Sequence, residues 1–261
     1  MARLIHIDAH TAALSQHFTV SLPEGAGPHP VVILLHGCGG LQPLQHLYAR
    51  TAVEAGVATL VVDSFAHRGI SRTAAQMAVC TGMRLRGAER SADLFAALHW
   101  LHGQAWADCD RVAAAGWSHG AWTVMDALAG GYGRTGLQEG RPERLERLRA
   151  AFLVYPYAGP TSLTAAYGWG PHRPRVWAVL GAKDAVVGER APRRALERVK
   201  REGVSVDIHT FEGATHGFDD PDSTDPRTRY DPALTARSQA LFREAMETAL
   251  TREGTRTAAD H

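Results

Sequence analysis

Five residues near the middle of the chain, Gly116-Trp117-Ser118-His119-Gly120, have the types and spacing for nucleophilic chemistry. In this pattern a serine hydroxyl is presented from a sharp strand-to-helix turn. The glycines have a steric reason: without Cβ atoms they let strand and helix approach closely around a strained nucleophile backbone. Residues 111–117 read as a strand before the serine, and 119–129 as an Ala-rich helix after it. The start of that helix aims unpaired backbone N–H groups at developing negative charge. A bare match could arise by chance in a chain with 26 glycines; the strand and helix on either side favour the catalytic reading.

A serine hydroxyl is a weak nucleophile until a base takes its proton. Where the nucleophile sits on such a turn, the acid and then the histidine follow it in the chain. Asp184 lies just past a strand expected at 176–180, and His216 just past one at 204–211. His216 would take the hydroxyl proton and return it to the leaving group, while Asp184 fixes the tautomer and stabilises the imidazolium. Taken singly, Asp184 would pass for a helix cap and His216 for a solvent-facing loop residue. Asp219, Asp220, Asp207 and Asp110 compete for the acid, and His209, inside a strand, is a poor rival to His216.

Attack on a carbonyl creates an oxyanion that needs preorganised donors. One is expected from the backbone N–H of His119. The other falls in His36-Gly37-Cys38-Gly39-Gly40, directly after an apolar run at 31–35. Cys38 is the choice there, by its amide and not its thiol, with Gly37 or Gly39 as substitutes. The Cys38 thiol is expected to pack inward, and a weaker idea places it near Cys80.

The elements that must position these groups alternate. Strands are expected at 18–22, 31–35, 57–62, 111–117, 151–155, 176–180 and 204–211. Helices are expected at 43–55, 88–101, 119–129, 190–202 and 232–250, with Gly56 ending the first. Continuous apolar strands between helices imply βαβ units and a mainly parallel sheet. Such sheets carry their sites at the carboxyl ends of the strands, where every residue above falls.

The chain has 261 residues, 45% hydrophobic and 21% charged, with a formal net charge of +1. That balance gives no sign of a nucleic-acid partner, and the arginines at 141–149 alternate with glutamates as on a solvated helix face. No run of roughly 18 apolar residues is present to span a membrane, and no secretory leader is recognised, so a cytoplasmic address is expected. Three cysteines argue against a disulfide scaffold, and neither they nor the 14 histidines show zinc-site spacing. Residues 1–251 are expected to form one domain and 252–261 a disordered tail.

The stretches 35–41, 61–69, 111–122, 179–187 and 212–220 resemble the dienelactone hydrolase family, and the resemblance runs from about 31 to 250. It implies an α/β-hydrolase fold, a mostly parallel sheet of eight strands flanked by helices, without a large cap. The founding members carry cysteine as nucleophile where this chain has Ser118, which turns the expectation from dienelactone towards esters in general. Residues 130–150 look like an insertion, more a surface feature than a pocket wall. Arg68 could pair with a substrate carboxylate, as arginines in this family's pockets do, or with Asp63 or Asp93. Trp122, Tyr157 and Trp169 are candidate pocket walls.

Together these readings point to a cofactor-free, metal-free serine hydrolase cleaving small carboxylic esters or lactones through an acyl-enzyme, as monomer or homodimer, with neither nucleic-acid nor membrane partner. A peptidase or acyltransferase using the same three residues is the nearest rival. A non-catalytic binding protein on the same scaffold is the more distant one.

Overall fold

The computed structural model describes residues 4–79, 84–139, 142–223 and 225–251. The tail expected at 252–261 lies outside them. The strands are β1 (Ile5–His6), β2 (Phe18–Ser21), β3 (His29–Leu35), β4 (Ala58–Val62), β5 (Ala107–Trp117), β6 (Leu137–Gln138), β7 (Leu148–Val154), β8 (Arg175–Gly181) and β9 (Val206–Phe211). The α-helices are α1 (Ile7–Ser15), α2 (Pro43–Glu54), α3 (Arg72–Ala74), α4 (Gly87–Leu101), α5 (His119–Asp126), α6 (Tyr132–Thr135), α7 (Leu163–Tyr167), α8 (Arg190–Arg201) and α9 (Pro232–Met246).

Seven strands form one sheet in the order β2-β4-β3-β5-β7-β8-β9. Only β2 runs antiparallel, pairing Phe18 with Val62 at the sheet edge. The resemblance implied eight strands. Among the described residues the eighth is missing because the chain before Phe18 goes elsewhere: α1 packs against α4, and β1 pairs with β6 in a separate two-stranded ribbon.

All seven residues of β3 are buried, as a strand covered on both faces requires. Val31, Ile33 and Leu35 point to a core shared with α1, α4, α5 and α8; Val32 and Leu34 point to the opposite core with α2 and α9. This is the two-residue alternation of a strand, and each such side chain contributes roughly 1.5–3 kcal/mol by leaving water. Helix ends follow local chemistry. Gln42 and Gln45 form a reciprocal cap at the start of α2, and Gly56, at φ +77°, ends it. Asp231 accepts from the Ala233 and Leu234 amides to start α9.

The insertion at 130–150 carries β6 and packs beside β1 and α4, away from the functional pocket. No described helix is long and apolar enough to cross a membrane.

Candidate active site

β5 delivers Trp117 and α5 starts at His119, leaving Ser118 on the turn between them at φ 52° and ψ −109°. That is strained backbone for a residue with a Cβ. The Ser118 amide donates to the Val154 carbonyl at 2.9 Å, which holds the turn against β7. The glycines are needed for space. A Cβ on Gly120 would overlap the Leu35 carbonyl, and one on Gly116 would overlap the backbone of Gly120 and Ala121.

His216, on the loop after β9, reaches back over Ser118. Its Nε2 lies 2.9 Å from Ser118 Oγ and its Nδ1 lies 2.8 Å from Asp184 Oδ2. Asp184 is acceptor-only when ionised, so Nδ1 carries the proton and Nε2 is free to accept from the serine. The other Asp184 oxygen accepts from the Val186 amide at 2.8 Å and the Val187 amide at 3.0 Å. Burial alone would raise this carboxyl, but the His216 hydrogen bond and charge and the two amides outweigh it and hold it below its ordinary value. The Tyr155 ring, 4.6 Å from the imidazole, backs His216.

Of the rival acids, Asp219 is a buried anchor. It accepts from the hydroxyls of Tyr155 at 2.7 Å and Tyr48 at 3.0 Å and from Trp117 Nε1 at 3.0 Å. Burial raises its carboxyl, and those three donors offset part of the rise. Asp207 and Asp110 pair with Arg175 and Arg147 on the surface. Asp220 borders the pocket but accepts from the Asp222 amide. His209 stays within β9.

Ser118 and His216 open into a pocket of about 420 Å³, whose wall also includes Gly37, Cys38 and His119. Trp122 and Tyr157 line it as expected, with ring centroids 4.6 Å apart. Two other expectations fail. Arg68 does not reach the pocket, because both of its terminal nitrogens are engaged by Asp93, at 2.7 and 2.8 Å. Trp169 is a core residue whose Nε1 donates to Thr164 Oγ1 at 3.0 Å. The wall also includes polar residues that sequence patterning did not single out, among them Gln45, Arg72 and Arg227. Gln45 caps its own helix, and Arg227 is paired with Asp225.

Cys38 is disulfide-bonded and is therefore no thiol nucleophile, whereas Cys109 is free. Cys80 lies outside the described residues. His10, His67 and Asp93 present possible metal-ligand atoms within 4.8 Å of one another. The Arg68 fork and His10 already hold the Asp93 carboxylate, and a cation there would have to compete with that guanidinium.

A mostly parallel sheet flanked by helices, with a serine on a strained turn after the central strand and a histidine and an aspartate at later strand ends, matches the α/β-hydrolase fold. Within that fold the chain belongs to the dienelactone hydrolase family, whose model matches residues 18–136 and 142–250. Among solved structures, a dienelactone hydrolase from Anabaena variabilis is 23% identical with a TM-score of 0.60, over 89% of this chain and 91% of that one. Thermogutta terrifontis esterase 2, phosphorylated by paraoxon, is 18% identical with a TM-score of 0.66, over 88% of both chains. A dienelactone hydrolase-like promiscuous phosphotriesterase from metagenomic libraries is 19% identical with a TM-score of 0.66, over 89% of this chain and 92% of that one. These likenesses concern the fold. An uncharacterized 31.7 kDa protein of Escherichia coli is 32% identical over 112 residues, spanning 42% of this chain and 36% of that relative's length.

Proposed function

We propose that the protein hydrolyses carboxylic esters or lactones through an acyl-enzyme on Ser118. The observation that carries this reading is the unbroken relay from Ser118 Oγ through His216 to Asp184, at 2.9 and 2.8 Å. Ser118 Oγ attacks the substrate carbonyl carbon while its proton passes to His216 Nε2. The backbone N–H groups of His119 and Cys38 receive the oxyanion. The carbonyl re-forms, the bond to the alkoxy oxygen breaks, and His216 gives its proton to that oxygen. Water then attacks the acyl carbon, its proton going to His216, and the acid leaves as Ser118 is restored. Asp184 stays ionised throughout and stabilises the imidazolium.

The pocket suits a small substrate: about 420 Å³ is the lower range of small-molecule sites. That size, with Trp122 and Tyr157 beside Ser118, favours a small ester over a polypeptide. The test is turnover of a p-nitrophenyl ester panel and labelling by a fluorophosphonate, with Ser118→Ala alongside. That a fold relative is phosphorylated by paraoxon makes this organophosphate a suitable second titrant. Wild-type protein that is neither labelled nor active on short esters overturns the reading. Labelling that survives Ser118→Ala overturns the assignment of the nucleophile.

A further inference from the structure

Arg90, on the first turn of α4, is fully buried. Burying a guanidinium is costly unless a carboxylate compensates it. Among the described residues no carboxylate forms an ion pair with Arg90; the nearby Asp93 is engaged by Arg68 and His10. Instead, Arg90 Nη1 donates to the His36 carbonyl at 2.8 Å and to His119 Nδ1 at 3.0 Å, and Nε donates to Ser64 Oγ at 2.9 Å. Among the described residues its Nη2 has no hydrogen-bond partner. Such a buried charge is weak as a stabilising device, since well-packed apolar residues of similar volume are often at least as stable as buried charged groups.

What Arg90 holds is specific. His36 leads into the turn carrying Gly37 and Cys38, and His119 follows the nucleophile. The two backbone segments proposed to receive the oxyanion therefore converge on one nitrogen of one side chain. Histidine at 119 suits this contact. Its Nε2 donates to the Leu85 carbonyl at 2.7 Å, which leaves Nδ1 as the acceptor that Arg90 requires. Burial first, and the Arg90 charge second, hold the His119 imidazole down to about 3, so it stays neutral at working pH. His36 is likewise pushed well below its ordinary value, first by burial and then by Arg90. The rings of His36 and Phe65 meet edge to face at 4.6 Å, the Arg90 guanidinium lies 5.6 Å from the Phe65 ring, and all three side chains are buried.

We infer that Arg90 is a positioning residue for the oxyanion site, a buried strut that fixes the His36–Cys38 turn and the start of α5 at the spacing a tetrahedral intermediate needs. Its charge also lies behind both segments in a dry environment, where it favours the oxyanion over the neutral ground state. This inference rests on the hydrolase reading of Ser118.

The test compares wild type with Arg90→Lys on a p-nitrophenyl ester, alongside affinity for a trifluoromethyl ketone, which forms an oxyanion on the serine. A single ammonium cannot bridge His36, His119 and Ser64 together. The expected result is a fall in kcat of about tenfold or more with KM within about twofold, and a parallel loss of trifluoromethyl ketone affinity. Affinity for the corresponding alcohol, which forms no oxyanion, should hold. A folded Arg90→Lys with wild-type kcat and ketone affinity overturns the strut. Should that variant not fold, Ser64→Ala removes only the Nε contact, and a severalfold loss of kcat and ketone affinity is expected; wild-type values in Ser64→Ala then overturn the inference. Wild-type protein with no ester turnover and no labelling overturns the hydrolase reading and the strut with it, whereas failure of the strut alone leaves wild-type turnover intact.

Discussion

Trp117 Nε1 donates to Asp219 Oδ2 at 3.0 Å, tying the residue before Ser118 to the loop that carries His216. The same carboxylate receives Tyr155, whose ring backs His216, and Tyr48 from α2. Asp219 thus locks together three segments on which the Ser118–His216 distance depends. Asp219→Ala leaves Trp117 Nε1 and the Tyr155 hydroxyl buried without an acceptor, while Tyr48 keeps Ser238, so a loss of about 2 kcal/mol or more is expected in urea unfolding. Asp219→Asn keeps the shape but turns an NH₂ towards one of those donors. It should fold and lose kcat by roughly tenfold through a misplaced His216. Wild-type kcat in a folded Asp219→Asn would count against this role.

Asp184→Asn tests the tautomer argument. The Val186 and Val187 amides can still hold Oδ1, so the loop should keep its place. The NH₂ facing His216 would then favour the tautomer with the proton on Nε2, which cannot accept from Ser118. A fall in kcat of about three to four orders of magnitude is expected, with Tm little changed.

Gly120 tests the packing of the nucleophile turn. Any Cβ there meets the Leu35 backbone, which has no rotamer with which to yield. Gly120→Ala should cost roughly 2–4 kcal/mol and lower activity, because relief must come from shifting α5 or β3. Gly133, where a Cβ would meet open space, serves as the control.

Asp126, at the end of α5, gives a pH signature. Burial, offset in part by the Thr164 and Leu163 amides, raises its carboxyl to about 6 from an ordinary 3.8. Folding therefore favours the protonated form: this contribution is complete below pH 3.8 and is lost as pH rises to about 6. Asp126→Asn retains an oxygen for those amides and cannot ionise. Its stability relative to wild type should rise between pH 4 and pH 7, by at most about 3 kcal/mol. Melting curves that run parallel across that range would contradict the assignment.

Arg68→Ala should act on stability and not on substrate choice. It leaves the buried Asp93 carboxylate with His10 alone, which costs about 3 kcal/mol. KM values for neutral and anionic esters should stay within twofold of wild type. A selective rise for anionic esters would return Arg68 to the pocket.

Much of the site was legible because its geometry is local. Gly116, Ser118 and Gly120 encode a turn within five residues, Asp184 follows a strand of continuous apolar residues, and His216 follows one in which apolar and polar residues alternate. The sequence left Arg68 open between a substrate carboxylate, Asp63 and Asp93, and the choice of Asp93, 25 residues on, is made only once α4 packs. Trp122 and Trp169 are alike in composition, and only tertiary packing sends one to the pocket and the other to the core. Helix α1 escaped notice for a physical reason. Its inward residues, Ile7, His10, Thr11 and Leu14, have helical spacing, but two of the four are polar, so the apolar period is broken. His10 is buried there because Asp93 accepts its hydrogen bond, a contact that spans 83 residues.

His216, the proposed base, lies 98 residues after Ser118. During synthesis the chain emerges from its N-terminus at about 5–20 residues per second, so Ser118 leaves the ribosome roughly 5–20 seconds before His216. Until the last two strands add to the sheet, the serine has neither base nor acid. On the proposed reading the nascent protein is thus chemically silent, and a product truncated before residue 216 should be inert towards esters even when its central strands have folded.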